Sequence, residues 1–266
     1  MILSKRVSLN NVQLDELDER IVITGIDEAA GKDTISAATQ AATNGQRITD
    51  IRRETLDVTV RFRMMIHKGR MSERSALLEK INGWAANGGW MRLNYRPGRR
   101  LLVTLAQAPG AGDMFNWTNE YSMVFRAYSV PYWMDNSETT MTGSVTAGGI
   151  IYMTVPGSAY TVLDISVENR SGKSFNNLIV KAVTSPKTLT MQYANLALGG
   201  SQTLTISHLH TQELFVMQNK IGSTSVLKAR TPASADDFVV SPGNLNVQWA
   251  ADRAVRVTVK CRGRYL

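Results

Sequence analysis

The 266-residue sequence has a single cysteine, Cys261. An internal disulfide is excluded, as is any zinc site made of several cysteines. Such sparse use fits assembly in a reducing cytoplasm. There are three histidines, His67, His208 and His210. No run approaches the roughly 18 consecutive apolar residues of a membrane helix. The opening, MILSKRVSLNNVQLDELDER, has no apolar core and no small-residue cleavage site, so a soluble, unprocessed chain is expected. Gly-x-Ser-x-Gly, His-Glu-x-x-His and phosphate-loop patterns are missing. Their absence removes the commonest local signatures of hydrolases, zinc peptidases and nucleotide-binding proteins. No internal repeat or heptad run occurs either.

What remains is globular material. Apolar residues make up 43% and charged residues 20%, which excludes a mainly disordered chain. At roughly 100–200 residues per domain, the length allows one large domain or two modest ones. Thirty basic and 22 acidic residues give a net charge of +8. Residues 1–131 carry 18 basic and 14 acidic side chains and residues 132–266 carry 12 and 8, so each half is +4. Nucleic-acid binding needs a concentrated phosphate-facing patch. Charge spread this evenly does not supply one.

The clearest periodicity is strict alternation from Thr55 to Ile66. Leu56, Val58, Val60, Phe62, Met64 and Ile66 point one way; Thr55, Asp57, Thr59, Arg61, Arg63 and Met65 point the other. Period two over this length predicts a long half-buried strand. Arg61 and Arg63 stand on its exposed face, as solvated charge or as a subunit contact. A helix follows over about 72–86. Ser72 is placed to cap it and Glu73 suits its first turn. Leu77, Leu78, Ile81, Trp84 and Ala85 form its apolar stripe, and Asn87-Gly88-Gly89 stops it. Trp90–Tyr95 and Arg100–Leu105 read as a hairpin around Arg96-Pro97-Gly98-Arg99. Pro109-Gly110-Ala111-Gly112 breaks the chain, and Trp117–Val130 reads as a further strand. Gly25–Arg47 is rich in Ala, Thr and Gly and has few large apolar residues. It is either a mobile loop or an extended arm that orders against a neighbouring subunit.

Pro131 ends the first half, and the polar run Tyr132–Gly149 is expected to be the domain boundary. Beyond it no helix is predicted. Short β-rich runs recur at Gly149–Val155, Thr161–Glu168, Asn177–Ala182, Thr188–Tyr193, Gln202–Ser207, Glu213–Gln218, Ser223–Ala229, Phe238–Val240, Asn244–Ala250 and Arg253–Cys261. Turn residues separate nearly all of them, which predicts a β-sandwich.

Candidate chemistry is thin. His208 and His210 in SHLHTQ, close to Glu213, would share one face of a strand and could ligate a metal. No third ligand is evident, and two exposed polar residues at a strand end are the plainer reading. Asp236-Asp237 could be the paired carboxylates of a glycosidase. Neighbours on an extended chain point to opposite faces, however, so a loop cap or a solvated pair fits better. Cys261 has no local activating motif and is expected as a small core residue. Tyr152, Tyr160, Tyr193 and Trp249 are candidates for a sugar-stacking platform, although most aromatic residues are simply buried. No catalytic, cofactor-binding or metal residue is assigned. A non-enzymatic protein without a cofactor is expected.

The order of elements resembles the distal tail protein family of long-tailed bacteriophages, and the resemblance spans essentially the whole chain. It rests first on GQRITDIRRETLDVTVRFRM, then the helix SERSALLEKINGW and the hairpin WMRLNYRPGRRLLVTLAQAP. The second anchor is YSMVFRAYSVPYW, the strand and proline at which that family changes domain. The third is FVVSPGNLNVQWAADRAVRVTVKCRGRYL, a Pro-Gly-x-Asn turn followed by a basic, valine-rich strand. In such a protein, Gly25–Gln46 would correspond to a variable loop or hairpin.

The resemblance implies a mainly β fold with one α-helix. Residues 1–131 would be a ring-forming domain, a β-sandwich or split barrel carrying the helix. Residues 132–266 would be a galectin-like or carbohydrate-module-like β-sandwich. It further implies a structural hub protein of the virion tail tip, assembled in the host cytoplasm as a homo-hexameric ring. Its partners would be the tail tube protein, the tip hub or tail-associated protein, the tape measure and receptor-binding proteins. DNA would pass through the ring without specific binding. A monomeric carbohydrate-binding or adhesin β-sandwich protein is the competing expectation.

Overall fold

A computed structural model describes residues 5–29, 33–39, 46–67, 69–109, 120–185, 187–210 and 215–266; the side chains at 38–39, 46–52, 210 and 215 lie outside that description. Among these residues the chain is mostly β-strand with one α-helix, as the patterning predicts. It divides into two compact units, with the break between Trp133 and Met134.

The strands of the first unit are β1 (Val7–Leu9), β2 (Val12–Gln13), β3 (Ile21–Glu28), β4 (Asp33–Thr39), β5 (Gln46–Arg53), β6 (Leu56–Met64), β7 (Gly89–Leu93), β8 (Arg99–Gln107) and β9 (Glu120–Ala127). Seven of them form one sheet in the order β2-β1-β7-β8-β9-β6-β3, and β4 pairs only with β5. The alternating run becomes β6, slightly shorter than predicted. Val58, Val60, Phe62 and Met64 are fully buried, while Arg61 and Arg63 are exposed. Tyr121, Met123, Phe125 and Ala127 of β9 bury the same face, and the Phe62 and Tyr121 rings stack at 5.5 Å. Apolar burial of this kind is the main favourable term holding the sheet to its helix.

That helix, α1, spans Met71–Ala86. Ser72 is inside it rather than capping it. Arg70 occupies the cap position and makes no side-chain cap bond. The chain enters the helix one residue earlier than the Ser signal suggests, and Glu73 compensates in the first turn by pairing with Arg70 at 3.2 Å and Arg20 at 3.0 Å. The stripe buries Leu77, Leu78, Ile81 and Ala85 together with Arg74, whose polar character gave no hint of a core position. Trp84 is half-buried. It meets Phe125 edge-on at 6.0 Å, and its indole N–H donates to the Val12 carbonyl at 3.1 Å. The helix stops as expected at Gly88, which takes φ +57°. Gly89 has no room for a side chain, because a Cβ would fall 2.2 Å from Asn10 Oδ1. Asn10 and Asn11 both adopt positive φ, the conformation a two-residue hairpin turn between β1 and β2 requires. The Asn10 side chain then donates to Gly88 O and accepts from Trp90 N–H, both at 2.9 Å.

The second unit contains β11 (Thr139–Thr142), β12 (Thr146–Val155), β13 (Thr161–Asn169), β14 (Leu178–Thr184), β15 (Lys187–Tyr193), β16 (Thr203–His210), β17 (Phe215–Ile221), β18 (Thr224–Ser225), β19 (Val239–Val240), β20 (Gly243–Cys261) and β21 (Arg264–Tyr265). It follows β10 (Trp133–Asp135), which carries the chain across the break. Its organiser is β20, a single strand of 19 residues. Two shorter strands were expected here. Ala250-Ala251-Asp252-Arg253 contains no Gly or Pro to break the run, and Asp252 ties it to the Asn177 amide at 2.9 Å. The first part of β20 lies between β12 and β14, and the second between β11 and β13. The sheet thus curls about one strand. Leu245, Val247 and Trp249 from one part and Val255, Val257, Val259 and Cys261 from the other join a single core.

Two further segments differ in detail. Tyr132–Gly149, read as the polar domain boundary, includes the break after Trp133 and also holds β10, β11 and the start of β12. Thr-rich β11 keeps its side chains largely in solvent, so its polarity marks an exposed sheet face rather than a linker. Ser223–Ala229 contains only the short β18 and a single 3-10 turn at Leu227–Ala229.

Candidate functional site

The residues singled out for chemistry are scattered. His67 borders a groove of about 380 Å³ with Arg20, Met65, Ile66, Arg70 and Glu73. Both arginines there are already paired with Glu73. Cys261 is buried, and burial, with Asp135, Asp164 and Glu138 nearby, raises its thiol pKa to about 11. A thiol held in that form is a poor nucleophile at neutral pH. Of the aromatic candidates, Tyr193 and Trp249 are core residues, while Tyr152 and Tyr160 are 66% and 64% exposed. The Tyr193 hydroxyl instead donates to Asn219 Oδ1 inside the core. Among the described residues, no group of three or more His, Cys, Asp and Glu side chains is arranged to hold a metal ion. The His210 side chain and Glu213 lie outside the described residues.

His208 corrects the reading as an exposed strand end. Its side chain is fully buried, because Leu204, Ile206 and His208 alternate onto the inner face of β16. Nδ1 lies 3.1 Å from Asp164 Oδ1 of β13, and Nε2 lies 2.5 Å from Asp237 Oδ1. The His208 backbone N–H also donates to Asp164 Oδ1 at 2.9 Å. Asp237 is therefore neither a loop cap nor a solvated charge, and Asp236 beside it is exposed. Burial pulls the imidazole pKa down. The hydrogen bonds to Asp164 and Asp237 outweigh that and leave it above the ordinary histidine value. With a carboxylate on each ring nitrogen, His208 is built to hold a proton. Neither nitrogen presents a lone pair to a metal or to a substrate proton.

The outer face of β3, β6 and β9 is laced with ion pairs. Arg126 makes a two-pronged pair with Asp57 at 2.6 and 2.7 Å, Arg61 pairs with Asp27, and Arg63 lies 3.8 Å from Glu120. Glu28, at the end of β3, joins distant parts of the first unit. It accepts from Tyr95 O–H and Arg96 Nε–H, both at 2.9 Å, and from Trp133 Nε1–H at 2.8 Å. Burial and the Glu28 carboxylate push the Tyr95 phenol well above its usual range. Nothing in the sequence near Glu28 signals this node, since its partners are 67 to 105 residues away.

The strands of the β4–β5 ribbon pair only with each other among the described residues. Asp33–Arg53 through Thr39–Gln46 pair antiparallel with one irregularity at Ser36/Ala37. Residues 33–37 are all exposed, including Ile35 at 58%. The Ala- and Thr-rich stretch is thus a hairpin rather than a shapeless loop. Beside it, β3 ends its sheet, with one edge unpaired among the described residues.

Neither a family model nor a curated protein sequence matches the chain. Solved structures do. One is the crystal structure of the Dit protein of phage SPP1, described as a paradigm of the hub adsorption apparatus in phages that infect Gram-positive bacteria. At 12% identity it is similar over 98% of this chain and 99% of its own length, with a TM-score of 0.68. A chain of the phage P2 baseplate in its activated conformation is similar at 6% identity over 97% and 98%, with a TM-score of 0.50. From end to end, this chain has the fold of the SPP1 distal tail protein.

Proposed function

We propose that this chain is a structural hub protein of a bacteriophage tail tip, without catalytic activity. It forms a hexameric ring that joins the tail tube to the tip hub and the receptor-binding apparatus. Residues 1–131 close the ring around the DNA channel. Residues 132–266 project outward as a galectin-like domain that holds receptor-binding proteins, and DNA passes without specific contacts. The ring is a virion component assembled in the host cytoplasm. One observation carries this reading: the likeness to the SPP1 protein covers both chains almost completely, so it extends to the whole two-unit architecture. A head-to-tail ring needs two different surfaces on each subunit. The exposed β4–β5 ribbon and the open edge of β3 are of the right kind, since backbone pairing to an edge needs no large side chains.

Light scattering behind a sizing column tests the ring. A species of about six times the chain mass is expected at high concentration, as closed cyclic symmetry favours complete rings. A strict monomer at every concentration, with no rings in electron micrographs when tail tube protein is present, would overturn the proposal. The sugar-binding alternative keeps only Tyr152 and Tyr160 of its four aromatic candidates. A glycan array on the full chain tests it directly.

A further inference from the structure

The segment after the 3-10 turn, residues 230–238, runs as a strap from β15 into the core of the second unit. Its first part is pinned to β15. Thr231 N–H donates to Gln192 O at 2.9 Å, Ala235 N–H to Thr190 O at 2.7 Å, and Ser234 Oγ bonds both Gln192 N–H and Gln192 O at 2.9 Å. Its last part turns inward. Phe238 is fully buried in the core, and its carbonyl accepts from Leu163 N–H at 3.1 Å. Between these anchors Asp237 pairs with His208. A buried imidazole with a carboxylate on each side joins three elements: β13 through Asp164, β16 through His208 itself, and the strap through Asp237.

We propose that His208 is a proton-operated latch. With the imidazolium in place, the inward end of the strap stays closed, with Phe238 buried and β19 paired to β13; when the proton leaves, the chain opens from Asp237 through β19. The charged form satisfies both carboxylates as a double donor. The neutral form has one N–H, so one of the two carboxylates then faces a lone pair, which is repulsive. The other groups around the site do not replace it. On β20, Cys261 holds its proton to about pH 11, and Lys260, the register partner of Asp164, lies 3.6 Å from Glu138. On β17, the register partner of His208 is Met217. On the strap, Asp236 points to solvent.

The sign follows from linkage. The folded-state pKa of His208 lies above its ordinary value. The latch is therefore fully closed below the ordinary value, about 6.5, and is lost as pH rises through the folded one. The same linkage fixes the size: each unit by which the closed strap raises the pKa is a factor of ten in strap opening.

Two measurements on the full chain test the latch. Deuterium exchange at imidazole C2, read by mass spectrometry, gives the pKa of each histidine. Amide exchange, corrected for the intrinsic effect of pH, gives strap opening at Phe238–Val240. Opening should increase across the His208 titration by ten raised to the measured pKa shift, while the β14 and β15 amides keep their protection. Asp237→Asn should lower the His208 pKa and move the opening to lower pH. His208→Gln should abolish the pH dependence. If His208 titrates at or below its ordinary value, or if strap protection is unchanged across its titration, the latch is refuted. If His208→Gln does not fold, the Asp237→Asn shift decides alone.

Discussion

The Trp249 ring has a seat that a single methyl group should spoil. A Cβ added at Gly149 would lie 2.5 Å from Trp249 Cζ2 and 2.6 Å from Cη2, and one at Gly143 would lie 2.5 Å from Cη2. Gly149 does not take a left-handed φ, so alanine suits its backbone and would alone gain up to about 1 kcal/mol over glycine. Overlap with a fixed ring costs about 1–3 kcal/mol, and Trp249, only 5% exposed, has little freedom to move away. Gly149→Ala should therefore be destabilising despite its better strand propensity. Trp249→Phe removes the two clashing atoms and should cost less than the about 3–5 kcal/mol of truncation to alanine. In the double variant the clash is gone, so the two costs should fall short of their sum by about 1 kcal/mol or more. Urea unfolding of the full chain, scored by hydrogen exchange at β20 peptides, isolates the second unit. At about 1–3 kcal/mol per molar, the coupling is a midpoint difference of about 0.5 M or more. Strictly additive costs, or a stabilised Gly149→Ala protein, would show that the ring does not rest on this glycine.

Neighbouring residues on β6 should behave oppositely. Phe62→Ala should cost about 3–5 kcal/mol by emptying a fully buried site. Arg61→Ala should cost less than about 1 kcal/mol, because its ion pair with Asp27 is half-exposed; equal midpoint shifts would contradict the two-faced reading of the strand. Replacing residues 30–53 by a short turn removes a ribbon whose strands pair only with each other, so the protein should stay folded by circular dichroism while the ring weakens in light scattering. Undiminished rings would show that the ribbon is an ordinary surface hairpin. Asn10→Ala should cost about 1–2 kcal/mol in thermal unfolding, since it removes two hydrogen bonds and leaves a positive φ to alanine.

How much of this was legible in the sequence depended on the range of the interaction that fixed each element. Alternation in Leu56–Met64 and the stripe from Leu77 to Ala85 are local signals, and both elements formed where they predict. The Asn87-Gly88-Gly89 stop and the Pro97-Gly98 turn were equally readable, because positive φ has a residue signature. The signals that misled were local ones with a tertiary answer. Ser72 looked like a cap, but Glu73 and its two arginines settled the helix start. Thr139–Thr142 looked like a linker because its partner strand lies over 100 residues away. The two runs of β20, Asn244–Ala250 and Arg253–Cys261, looked separate because a bent strand and a turn have similar composition.

The candidate site shows the same limit more sharply. His208 and Asp237 were each noticed in the sequence, but for other pairings: one with His210, the other with Asp236. Sequence neighbours on a strand share or oppose faces by parity alone, whereas the imidazole found its partners 44 and 29 residues away. Burial decides which pairing matters. A histidine on the inner face must satisfy two ring nitrogens without water, and a carboxylate within reach is a stronger partner there than in solvent. Leu204, Ile206 and His208 share one parity on β16, which puts the imidazole on the buried face. What could not be read was the identity of the acids, because Asp164 and Asp237 meet His208 only after β13, β16 and the strap are packed. The same holds for Glu28, whose three donors converge from the β7–β8 turn and from Trp133. In both units the polar groups that select one arrangement of strands are long-range, while the apolar pattern that makes the strands is local.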